Sequence, residues 1–143
     1  MNKFSLTYEE RDILKYLILQ GTSDLCRLRL WLVCSGAQTE IKLNPSYYND
    51  LLKLSKEVPS LYSSDIEKDL DRTNQILFKE NKIYKEMLKN ILTCYSLRNS
   101  SIGYCQGFNF IVLRIIEITQ NEVIIFLFNF YLIRNMLFGY FVN

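Results

Sequence analysis

Apolar residues recur at helical spacing in block after block of this chain, and nowhere does strict alternation take over; that periodicity limits the available folds more than any other feature. Between positions 83 and 95, Ile83, Tyr84, Met87, Leu88, Ile91, Leu92 and Tyr95 mark one face of a long amphipathic helix ending near Leu97. Ile13, Leu14, Leu17 and Ile18 do the same for a helix from about Tyr8 to Gln20, opened by a capping box of Thr7 and Glu10 and stopped by Gly21. Further helices are expected over Leu25 to Cys34, with Ser23 or Asp24 as cap and Gly36 beyond the end, and from Asn44-Pro45 to Val58-Pro59. Ser64 and Glu67 form a second capping box for a short helix from near Asp65 to Thr73, and two more helices are expected over Gly107 to Thr119 and Asn121 to Leu137. Thr73 to Lys82 shows no periodic face, and Arg98 to Gly103 is expected to turn. The expected fold is therefore all-α, with about six to seven helices in a single domain spanning residues 1–143.

Composition removes several chemistries. The chain has no histidine, so histidine-dependent nucleophilic triads, His-ligated zinc and imidazole acid/base catalysis are all excluded. A net charge of +2 from 17 basic and 15 acidic residues provides no basic stripe, so no nucleic-acid partner is expected. Cys26, Cys34, Cys94 and Cys105 form no CxxC pair and fall within apolar runs, which reads as small buried hydrophobes in a reducing compartment. The N-terminus is too polar and acidic for a secretory signal, which makes the cytoplasm the expected location. Val123 to Val142 is long enough to span a bilayer, but Asn129, Arg134 and Asn135 interrupt it, so a buried or partner-covered helix is the expected form.

Asp69 and Arg72 lie three residues apart on one helical face, a spacing that by itself suggests a solvated ion pair. Their neighbours make them part of a larger pattern. Arg27-Leu28-Arg29-Leu30-Trp31 comes first, then Ile66-Glu67-Lys68-Asp69-Leu70-Asp71-Arg72-Thr73, then Ile102-Gly103-Tyr104-Cys105-Gln106-Gly107-Phe108-Asn109. In order and separation these three segments, at 27–31, 66–72 and 104–106, resemble the signatures of the TBC domain, the Rab GTPase-activating family. The resemblance runs from about Gly21 to the C-terminus.

The resemblance implies an all-helical protein that accelerates GTP hydrolysis by a Rab-family small GTPase, with no self-contained active site of its own. Arg72 and Gln106 match the arginine and glutamine fingers that such proteins insert in trans. A guanidinium neutralises charge on the phosphate oxygens, and an amide holds the attacking water by donating and accepting at once. GTP and Mg²⁺ would be bound by the partner, leaving this chain with no cofactor or metal of its own. The resemblance also implies that Asp69 orients Arg72, that Tyr104 and Asn109 belong to the glutamine segment, and that Arg27 and Trp31 hold the N-terminal helices together.

The chain departs from the family pattern in three places. Gly21-Thr22-Ser23 stands before the first signature in place of Gly-Ile-Pro, Leu28 follows Arg27 where glycine is common, and Thr73-Asn74-Gln75-Ile76 lacks a proline after Arg72. The chain also stops at Asn143, so a TBC-like domain incomplete at its C-terminus is expected, leaving the segment 123–142 in need of cover. The alternative function is a catalytically silent module that binds a Rab or another partner, or associates peripherally with membranes, with recruitment to endomembranes as the corresponding location. Oligomeric state is left open at this level.

Overall fold

A computed structural model describes residues 7–23, 26–27, 29–30, 32, 37–122 and 125–126. Among these the chain forms seven helices. They are α1 (Tyr8–Leu19), α2 (Ala37–Leu43), α3 (Tyr47–Glu57), α4 (Ser63–Thr73), α5 (Gln75–Glu80), α6 (Lys82–Arg98) and α7 (Phe108–Thr119). Trp31, Cys34 and nearly all of Val123 to Val142, together with half of the expected helix over Leu25 to Cys34 and most of that over Asn121 to Leu137, lie outside the described residues.

The periodic run at 83–95 forms the centre of the fold. α6 buries Met87, Leu88, Ile91, Leu92, Cys94 and Tyr95, and it packs against α3, α4, α5 and α7. The surrounding helices supply Tyr48 from α3, Ile66 and Leu70 from α4, Phe78 from α5, and Val112, Leu113, Ile115 and Ile116 from α7. Each fully buried aliphatic side chain of this kind stabilises the fold by about 1.5–3 kcal/mol relative to leaving it in water. α4 also touches α7, which places the second and third sequence signatures side by side.

Ile125 and Phe126 complete the core beyond α7. Both are fully buried, and the Phe126 ring lies 5.1 Å from Tyr48 and 6.2 Å from Tyr47, centroid to centroid. The Tyr48 hydroxyl donates to Glu122 at 2.9 Å, and burial, reinforced by the Glu122 carboxylate, pushes that phenol well above its ordinary range. The Arg98 guanidinium lies over the Tyr47 ring, 4.3 Å from its centroid.

Several local expectations need correction. α1 has the expected capping box, with Thr7 Oγ1 accepting from the Glu10 N–H and Glu10 Oε2 from the Thr7 N–H, yet Ile13, Leu17 and Ile18 are exposed in the described structure. α4 makes no capping box from Ser64 and Glu67. It starts earlier because Ser63 Oγ donates to the Ser60 carbonyl, and the Asp65 and Ile66 N–H groups donate to the Tyr62 carbonyl, drawing the first turn back toward Ser60.

The polar stretch after Thr73 contains α5, capped by Asn74, whose Oδ1 accepts from the Leu77 N–H at 3.0 Å. Its single buried residue, Phe78, leaves too short a pattern for periodicity to register. α2 was not expected, and α3 begins at Tyr47 rather than at the Asn44-Pro45 step. The cysteines divide: Cys94 is buried, but Cys26 and Cys105 are exposed, because neither lies on a core-facing position of a described helix. Among the described residues no helix is long and apolar enough to cross a membrane.

Candidate functional site

Arg72 stands in the last turn of α4, where the unpaired carbonyls of a helix end favour a cation. Its Nη2 donates to Asp69 Oδ1 at 2.5 Å and its Nε to the Lys68 carbonyl at 3.3 Å. The Nη1 group makes no hydrogen bond among the described residues, and the side chain is 66% exposed. Part of the guanidinium fork is thus fixed and the rest faces outward.

Asp69 is buried, and both of its oxygens are engaged. Oδ1 accepts from Arg72, while Oδ2 accepts from the Tyr104 hydroxyl at 2.6 Å. Burial, and after it the hydrogen bond to Asp69, raises the Tyr104 phenol above its ordinary value, so it remains a neutral donor across the physiological range. One carboxylate therefore joins the arginine of the second signature to the tyrosine of the third.

Asn109 makes the second connection between the two signatures. It is 2% exposed, and its Oδ1 accepts from the Gly107 N–H at 3.1 Å and the Tyr104 hydroxyl at 3.3 Å. Its Nδ2 donates to Thr73 Oγ1 at 2.8 Å, and Thr73 Oγ1 in turn donates to the Asp69 carbonyl at 2.5 Å. A set of buried and part-buried hydrogen bonds thus links the end of α4 to the start of α7 and satisfies the polar groups that packing removes from water.

Gln106 lies on the loop between α6 and α7, exposed, with its amide making no hydrogen bond among the described residues. Glycines bend the loop on either side of it. Gly103 has φ +66 and Gly107 has φ +102, both in the left-handed region. At Gly103 a Cβ would fall 2.0 Å from the Tyr62 ring, so the backbone needs glycine for space as well as conformation. Phe108 anchors the far end, with its ring edge-on to Tyr95 and Tyr104 at 5.6 and 6.3 Å.

The consequence is a shared surface. Arg72 and Gln106 together line a depression of about 200 Å³ with Asp65, Lys68, Asp69 and Tyr104, and an adjoining one of about 170 Å³ with Asp69, Asn109 and Phe110. Thr73, at the centre of the network, and Phe110, at its rim, were not singled out from the sequence. Thr73 sits beside Arg72 in the second signature, whereas Phe110 carries no local signal of a site. A larger groove of about 800 Å³ between α4, α5 and α6 contains none of these groups apart from the helices that frame it.

Of the other sequence-selected residues, Arg27 donates to the Thr22 carbonyl at 3.1 Å and lines neither depression, and Trp31 lies outside the described residues. Among the described residues no cluster of His, Cys, Asp or Glu has the arrangement of a metal site.

Residues 24–143 match the model of the Rab-GTPase-TBC domain. The chain belongs to that family. TBC relatives include Growth hormone-regulated TBC protein 1-A of Danio rerio, 38% identical over 76% of this chain and 31% of the relative. The protein of the same name from Homo sapiens is 40% identical over 67% of this chain and 29% of its own length. The chain therefore spans about a third of the length of these TBC relatives. The described fold is also similar to the crystal structure of the Chlamydomonas flagellar RabGAP TBC domain, with a TM-score of 0.76 and 26% identity over 90% of this chain and 45% of that one.

Proposed function

We propose that this TBC domain accelerates GTP hydrolysis by a Rab-family GTPase, with Arg72 and Gln106 entering the partner's nucleotide site. The observation that carries the reading is that both side chains emerge into one surface depression while the groups beneath them are hydrogen-bonded to each other. Such an arrangement provides reach without disorder.

The chemistry asks for those two groups. Hydrolysis places charge on phosphate oxygens, and the free Nη1 side of Arg72 offers a planar cation for it, while Asp69 holds the other side. The Gln106 amide, without a hydrogen-bond partner among the described residues, both donates and accepts, as the orientation of an attacking water requires. Asp69, Tyr104 and Asn109 are positioning residues in this reading, while GTP and Mg²⁺ belong to the GTPase. The location in the cell follows the membrane that the GTPase marks, and the role is in vesicle trafficking.

Single-turnover GTP hydrolysis by a panel of GTP-loaded Rab proteins tests the reading. Stimulation by the wild-type chain and its loss in Arg72→Ala and Gln106→Ala are expected. A folded wild-type chain that binds a Rab without stimulating it would establish the silent binding module instead.

A further inference from the structure

The core side of α7 is formed by Asn109, Val112, Leu113, Ile115 and Ile116, and Phe110 is turned away from it. The residue is 57% exposed, as the third residue of the helix, and its neighbour Ile111 is exposed to a lesser degree, at 37%. It lines the same depression as Arg72, Gln106 and Asn109. An apolar ring there stabilises neither the ion pair nor the loop, and keeping it in water is unfavourable.

We propose that Phe110 is a docking residue: it seats an apolar patch that borders the nucleotide site of the partner GTPase, and so contributes to partner selection. The proposal rests on the reading of Arg72 and Gln106 as fingers, and it follows from geometry. When both side chains are inserted, the depression that they share is covered by the GTPase, and a ring lining that depression loses its water. The occupant must then be apolar where it meets the ring and polar where it meets Arg72 and Gln106. Aromatic side chains surrounded by polar groups are the kind that carry most of the energy of an interface. Because the ring contacts the partner before and during the reaction alike, it strengthens binding uniformly and does not act on the chemical step.

The test is single-turnover hydrolysis by GTP-loaded Rab proteins, titrated with the 143-residue chain to saturation. Phe110→Ala is expected to raise the half-saturating concentration about 10- to 100-fold while leaving the saturating rate within about threefold of wild type. Phe110→Lys, a change that an exposed helical position accommodates, is expected to raise it at least as far, and Phe110→Leu to recover most of the affinity. Ile83→Ala, at a still more exposed apolar position outside both depressions, serves as the control and is expected to match wild type. Unchanged half-saturation in Phe110→Ala and Phe110→Lys overturns the proposal, as does a fall in the saturating rate alone. A folded wild-type chain that stimulates no Rab overturns the finger reading first and the docking role with it, a result distinct from either of those.

Discussion

Asp69 has one oxygen on Arg72 and the other on Tyr104, so one buried carboxylate ties the end of α4 to the loop before α7. Asp69→Ala is expected to lower stability by about 1–3 kcal/mol, since it leaves the buried Tyr104 phenol only its longer bond to Asn109 and frees the guanidinium. Asp69→Asn retains an acceptor for Tyr104 and is expected to cost less; urea unfolding of both variants measures the difference. An unshifted midpoint in Asp69→Ala would contradict the account. Asn109→Ala should behave similarly, at about 1–3 kcal/mol, because it removes the acceptor of the Gly107 N–H and the donor to Thr73 together.

The α6–α7 loop is the element on which presentation of Gln106 depends. Gly103→Ala combines a left-handed backbone with a clash against the Tyr62 ring, and the expected loss is about 2–4 kcal/mol. Placed in a Tyr62→Ala background the same substitution should lose only its backbone part, about 1–2 kcal/mol, which a double-mutant cycle by urea unfolding measures. At this scale the sequence was legible where periodicity was long. α6 announced itself through its seven apolar residues, and Gly103, Tyr104, Gln106 and Asn109 were recognised from the words around them. α5 was hidden because six residues and one buried phenylalanine make no period, and Phe110 because exposure of an aromatic is decided by which face α7 turns to α6. The hydrogen bonds joining Thr73 to Asn109 connect residues far apart in the chain, so only the folded geometry shows them.

The whole molecule keeps several weak acids un-ionised in its interior, and this fixes its response to alkali. Burial pushes the Cys94 thiol from 9.0 up to about 12 and the Tyr95 phenol from 10.0 to about 12, and it raises Tyr48 and Tyr104 in the same direction. Below about pH 8 these groups hold their protons in both folded and unfolded chains and contribute no slope. Above it the unfolded chain loses protons that the folded chain retains, so stability is expected to fall as pH rises. Urea midpoints measured from about pH 8 to pH 11 check the sign, and a midpoint that rises over that interval would contradict it.

The proposed role of this TBC domain rests on the cooperation of two side chains brought together by the packing of α4 against α7. The most direct measurement is the single-turnover rate of GTP hydrolysis by a responsive Rab with saturating wild-type chain, Arg72→Ala, Arg72→Lys and Gln106→Ala. The proposed role predicts stimulation by wild type, a loss of about 10³- to 10⁵-fold in Arg72→Ala, little recovery in Arg72→Lys, and a large loss in Gln106→Ala, all in chains that remain folded. Full stimulation by folded Arg72→Ala would contradict it.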